Sequence, residues 1–175
     1  VAPWTAYDYY SWTPTGFPTM YLLWKTTVKT SASNSTATTR TYDWAHHEVP
    51  ATTTVDAGTG TLNLTTTYTY DDIGNLTVVD GPRTDVTDTV TTSYDSERRP
   101  TVVTDALGKQ TQTTYDADGR PIAVARQIGA QWLTNCSRYS ATGKVLRAWG
   151  PALTASATTC PTEAAPVPLT HTACD

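Results

Sequence analysis

Residues Thr113 to Pro121 read TTYDADGRP. Two acids and a glycine stand between a Thr/Tyr run and a proline. D-x-D-G can open a calcium loop, paired carboxylates can form a catalytic dyad, and the same residues can make a reverse turn. The rest of the chain decides among these. Tyr-Asp recurs at Tyr42-Asp43, Tyr70-Asp71, Tyr94-Asp95 and Tyr115-Asp116, with Tyr139-Ser140 as a variant. From Tyr70 onward these tyrosines follow one another at intervals of 24, 21 and 24 residues. The segments TTTYTYDDIGNLTVVDG, VTTSYDSERRPTVVTDALG, TQTTYDADGRPIAVARQIG and NCSRYSATGKVLRAWG overlay on one pattern: alternating Thr, then Y-D-x-x-G-x, an apolar-alternating strand and a Gly turn. A calcium loop needs further ligands at set spacings and a late Glu, and none follows here. Carboxylates at equivalent turn positions are a structural device, and a fixed period of this length marks a repeat architecture.

One unit has a simple physical logic. Side chains alternate along a strand, so Thr111, Thr113 and Tyr115 share a face, as do Ile122 and Val124 after the turn. Asp116 is placed to accept hydrogen bonds from the amides ahead of it as an Asx turn. Gly119 takes the positive-φ position that reverses the chain. Gly74 and Gly143 hold the same place in their units, whereas Arg98 replaces glycine, which predicts a strained, bulged or differently closed turn there.

Composition agrees with strands. The 175-residue chain has 10 Tyr and 6 Trp against one Phe and one Met, and Thr is abundant. These residue types suit a pleated, half-buried surface. The net charge of −4 with 16% charged residues excludes a basic nucleic-acid-binding stripe. No apolar run reaches the length of a membrane-spanning helix, and no signal peptide is visible. Three cysteines in a Thr-rich, Lys-poor chain point to an oxidising, extracellular setting.

The repeat pattern resembles the Rhs/YD-repeat family from Thr65 to Gly150, through YDDIGNL, YDADGRP and YSATGKV with TDALG between. The resemblance implies β-hairpin ribbons that spiral into a sheet, often closed as a hollow shell. In bacterial toxins and polymorphic effectors such a shell encloses a cargo polypeptide, and in animal teneurins a similar shell serves adhesion. A D-P-x-G-L-type motif and a variable C-terminal toxin domain are not visible, and these repeats are too few to close a shell. The expectation is a segment of such a protein, or a small relative that uses the repeat differently.

Three segments are expected. Residues 1–60 read as an irregular, aromatic-rich β segment: turns around Tyr7, Tyr9 and Trp12, then a strand from about Tyr21 to Thr30, which TSASNSTATTRTYDW can join as a hairpin. Tyr42-Asp43 is a degenerate first repeat, with His47 near the glycine place. Residues 61–150 hold the hairpins. Residues 151–175 read as a Pro-rich loop with a terminal partial strand, LTHTACD, in which Cys174-Asp175 occupies the Tyr-Asp slot. The start at Val1 and the stop inside a motif suggest a processed chain or a piece of something longer. Open sheet edges invite pairing with another chain.

Few residues suggest chemistry. In His46-His47-Glu48, the two histidines face opposite sides of a strand, leaving His46 and Glu48 short of the three or four ligands a zinc site uses. His171 stands alone. Cys136, Cys160 and Cys174 contain no C-x-x-C. They allow one disulfide, with Cys136–Cys160 favoured and Cys160–Cys174 the rival. Asn34, Asn63, Asn75 and Asn135 fit N-x-[ST], a pattern that a Thr-rich chain produces by chance. Neither G-x-S-x-G nor a phosphate-binding Gly loop occurs.

The expectation is therefore a non-enzymatic, all-β scaffold of consecutive antiparallel YD-repeat hairpins in an extended twisted sheet, with no cofactor or metal, extracellular or on a bacterial surface. It would form part of a shell around a cargo polypeptide, or a filament whose copies, its own partners, complete one another's edges. A carbohydrate-binding module, with Trp residues such as Trp132 and Trp149 as a sugar platform, is a third reading.

Overall fold

The structure is a computed structural model that describes residues 2–13, 15–16, 18–29, 31, 35–44, 49–58 and 61–160. The chain divides into two compact units, Val1–Thr89 and Val90–Asp175. Among the described residues every regular element is a strand. The first unit holds β1 (Trp4–Trp12), β2 (Met20–Lys29), β3 (Ser35–Asp43), β4 (Val49–Val55), β5 (Leu64–Tyr70) and β6 (Leu76–Asp80). The second holds β7 (Val90–Tyr94), β8 (Pro100–Thr104), β9 (Gln110–Tyr115), β10 (Pro121–Ile128), β11 (Gln131–Tyr139) and β12 (Val145–Thr154). Within each unit every strand pairs antiparallel with its neighbour in sequence. The architecture is all-β, built from consecutive antiparallel hairpins. No described helix is long and apolar enough to cross a membrane.

The aromatic N-terminal stretch is more regular than its composition suggests. Trp4–Trp12 is a strand paired with β2, not a series of turns. Alternation of large and small residues is weak there because most of β1 is exposed on both faces, so period-2 patterning has no core to report. Residues 49–55 pair through Thr52–Thr67, Thr53–Thr66 and Thr54–Thr65 with β5, so the first segment and the first repeats share one sheet. At the other end, a boundary at 150/151 falls inside β12. Gly150 and Pro151 look like a break, but they lie opposite a register shift between Thr134 and Cys136, and a bulge tolerates both residue types.

The abundant threonine has a structural use. Thr41 and Thr52 share a hydrogen bond of 2.7 Å between their hydroxyls, Thr54 and Thr65 one of 2.8 Å, and Thr134 and Thr154 another of 2.8 Å. Cross-strand hydroxyl pairs of this kind stabilise a sheet. Among the described residues the buried apolar side chains are only Ala123, Ala125, Cys136 and Ala157. They cluster where residues 155–160 fold back on β10 and β11. The Cys136–Cys160 disulfide fastens that return segment. Beneath it Thr134 is fully buried, and Thr154 also donates to the Ser156 carbonyl at 2.8 Å.

Candidate functional site

The Tyr-Asp motifs fold as near-identical turns within each unit. The amide of the first turn residue donates to the carbonyl four residues on: Asp71 to Asn75 in the first unit, and Asp95 to Arg99, Asp116 to Arg120 and Ser140 to Lys144 in the second; the Asp105 turn, which joins β8 to β9 at the other end of the strands, closes the same way through Lys109. The residue at the glycine place donates back to the first residue's carbonyl. Asp116 Oδ1 accepts from the amides of Asp118 at 3.0 Å and Arg120 at 2.9 Å, and Asp71, Asp95 and Asp105 repeat this arrangement. Ser140 Oγ takes part of the role, accepting from the Lys144 amide at 3.0 Å. The register shifts by one residue beside Tyr42, Tyr70, Tyr94 and Tyr139, and after Pro121 beside Tyr115. A positive-φ residue followed by a bulge is the ordinary way to close such a hairpin.

Gly74, Gly119 and Gly143 have φ near +80°. Arg98 adopts φ +64° and donates to the Asp95 carbonyl just as the glycines do. That turn is strained at Arg98, yet its closure is unchanged.

Four of the motif tyrosines reach back to the strand that leaves the preceding turn. Tyr115 Oη donates to the Pro100 carbonyl at 2.9 Å, Tyr139 Oη to Pro121 at 3.0 Å, Tyr70 Oη to Pro50 at 3.0 Å and Tyr42 Oη to Leu23 at 2.6 Å. The residue four after the Asp reaches forward. Arg120 pairs with Asp116 at 2.7 Å and Asp118 at 2.6 Å, donates to the Ser140 carbonyl at 3.0 Å, and lies 5.2 Å from the Tyr139 ring centroid. Arg99 pairs with Asp95 and Glu97, and lies 4.8 Å from the Tyr115 ring centroid. In the first repeat Asn75 does the local part, donating from its side-chain amide to Asp71 at 2.8 Å. Asn75 is buried, so its N-x-T pattern describes a turn residue.

These contacts set the charge states. The Asp95 carboxyl is held below its usual range, chiefly by the Arg99 amide hydrogen bond, against an opposing effect of desolvation. At Asp116 desolvation is the largest single effect and pushes upward. The Arg120 amide, guanidinium and charge together outweigh it, and the carboxyl is again lowered. Arg99 is raised, first by its hydrogen bond to Asp95. Asp116 and Asp118 of the opening stretch thus both hold a guanidinium.

The first unit uses rings instead of guanidinium groups. Tyr10 contacts Trp24, Tyr42 and Trp44 at centroid distances of 5.6, 6.5 and 6.4 Å, and Trp12 contacts Trp44 at 6.0 Å. The sequence pattern exposes the Tyr, Asp and Gly of each repeat but not the forward reach of Arg99 and Arg120. Their fixed place four residues after an Asp is the signal that carries it. Grouping Tyr10, Trp12 and Trp44 needs the β1–β2–β3 pairing.

Cys136 and Cys160 are joined across a sequence separation of 24 residues. Cys174, His46, His47, Glu48 and His171 lie outside the described residues, as does Asn34. Among the described residues no group of three or more His, Cys, Asp or Glu side chains is placed to hold a metal.

Compared with known proteins, the chain matches no family model and no curated protein.

Proposed function

We propose that this chain is a structural, non-enzymatic scaffold of the Rhs/YD-repeat kind, working in an oxidising environment outside a bacterial cell. The observation that carries the proposal is the set of ties between turns: the hydroxyls of Tyr42, Tyr70, Tyr115 and Tyr139 reach back, and Arg99 and Arg120 reach forward. Such ties make the stability of each hairpin depend on its neighbour, the behaviour of a repeat scaffold. The disulfide supports the oxidising setting. The carboxylates of the turns are committed to amides and guanidinium groups, which supports a structural role for them over an acid–base one.

Two assemblies fit this role. In one, the hairpins are part of the wall of a larger shell around a cargo polypeptide, or of an adhesion protein. In the other, copies of the chain pair along strand edges into a filament. The test is the native polypeptide purified from its source, run denatured with and without reductant and imaged by negative stain. A mass many times 18.9 kDa with hollow particles supports the shell. A mass near that value with fibres supports the filament. A monodisperse small monomer that forms neither defeats the scaffold proposal.

A further inference from the structure

In the second unit a transverse row of residues crosses β8 to β11. Val103 is opposite Thr111, Thr111 opposite Arg126, and Arg126 opposite Leu133. Directly opposed residues share a face of the sheet. Asp105 and Lys109, which close the β8–β9 turn, and Ile128, two residues on from Arg126, join this row around a hollow of about 360 Å³. Residues 61–160, which contain all of it, are described without a gap. Gln110 and Gln127 also border the hollow, but they alternate with the row and turn their side chains to the other face. Arg83, Arg99 and Arg120 each hold a carboxylate, at 2.9, 2.7 and 2.7 Å. The two cations of the hollow do not. Among the described residues the Arg126 guanidinium and the Lys109 ammonium have neither a hydrogen-bond nor an ion-pair partner. Asp105 forms no ion pair with either; its Oδ1 accepts from the amides of Leu107 and Lys109, both at 2.9 Å.

We propose that this hollow binds a monocarboxylate with a short apolar body. The planar guanidinium of Arg126 offers the fork that a carboxylate takes bidentately. Lys109 adds a second positive charge beside it. Two cations against one acid leave the lining one net positive charge, which matches a monoanion; a dianion such as phosphate would also meet Asp105. The apolar part of the lining points the same way. Val103, Leu133 and Ile128 flank the cations, and Ile128 is 52% exposed. A strongly hydrated oxyanion gains nothing from these side chains. An aliphatic chain attached to the carboxylate removes both its own surface and theirs from water. The volume is that of a small-ligand site. The proposal goes beyond the scaffold reading and does not rest on it, since the row belongs to the second unit in a wall, a fibre or an isolated module alike.

The experiment titrates the oxidised, isotope-labelled chain with N-acetyl-leucine, its neutral amide and inorganic phosphate at millimolar concentrations, and follows the backbone amides by NMR. N-acetyl-leucine should shift the amides of Thr111, Arg126 and Leu133 saturably and leave those of β2 and β3 in place. The neutral amide should bind about 10-fold more weakly or worse, as loss of a charge-assisted hydrogen bond does. Arg126→Gln and Lys109→Gln should each weaken N-acetyl-leucine by a similar factor. Both side chains are exposed, so the variants should keep the unaltered spectrum away from the hollow. Lys144→Gln, just before β12 at the other end of the β11–β12 hairpin, should leave binding within about 2-fold, because salt screens a distant exposed charge. The proposal is overturned if N-acetyl-leucine gives no saturable shift, if the amide binds as well as the acid, if phosphate binds as tightly as the acid, or if binding survives either substitution in the hollow.

Discussion

The Arg120 guanidinium faces the Tyr139 ring at 5.2 Å while its own turn holds it through Asp116 and Asp118. A side chain anchored in one hairpin thus clamps the next, and Tyr139 returns the contact through its hydroxyl to the Pro121 carbonyl. A double-mutant cycle of Arg120→Ala and Tyr139→Leu should show a coupling of about 0.5–1 kcal/mol, the size of a cation–π pair near the surface. Arg120→Lys should not restore it, because an ammonium lacks the planar fork that meets two carboxylates and a carbonyl together. Additive effects in urea melts would show that the two residues are merely adjacent.

The turn carboxylates set an acid limit. Asp95 and Asp116 have lowered pKa values in the folded protein. A group depressed on folding contributes stability that is full above its unfolded value, about 4, and is lost as pH falls through the folded value. The melting temperature should therefore change little on this account from pH 7 to about 5, then drop below about 4. Asp95→Asn and Asp116→Asn should melt lower at pH 7 and show a shallower acid drop. A variant with an unaltered acid profile would remove these turns from the cause.

Arg98 occupies a left-handed conformation that favours glycine, while its turn keeps the hydrogen bonds of the Gly119 turn. Relief of that backbone strain should make Arg98→Gly more stable by about 1 kcal/mol, or a few degrees in melting temperature. Arg98→Val should move in the opposite direction, since a β-branched residue tolerates positive φ poorly. Thermal melts of the two variants side by side read the sign directly.

How much was legible in advance follows from what each contact depends on. The turns are local: Asp116 and Gly119 are three residues apart, so Y-D-x-x-G exposes both the Asx geometry and the reversal. The clamp is not local. Arg99 reaches the carbonyl of Asp116 seventeen residues on, and nothing in the composition of either segment announces it. β1 escaped notice because an exposed strand has no buried face to impose alternation. The Cys136–Cys160 pairing was favoured over Cys160–Cys174, but which residues the return segment covers depends on Ala123 and Ala125. Ala123 pairs with Cys136, whose disulfide brings Cys160 to the sheet beside it.

The disulfide gives the last prediction. Its cross-link spans 24 residues of sequence, enclosing the end of β11, all of β12 and the return segment. Chain-entropy reasoning assigns a loop of that length roughly 3 kcal/mol of stabilisation. The double variant Cys136→Ser/Cys160→Ser should lower the urea midpoint accordingly. Its loss should be concentrated in the second unit, where Cys136 sits beside Ala123, Ala125 and Thr134, which are 3%, 0% and 0% exposed. Amide exchange in β10 and β11 should accelerate more than in β2 and β3. Cys136 is itself only 2% exposed, so dithiothreitol should act slowly on the native protein and faster in urea below the unfolding midpoint, where local opening grants access. Rapid reduction in plain buffer, with exchange in β10 unchanged, would show that the return segment lies loosely on the sheet and that the hairpins alone supply the stability of this unit.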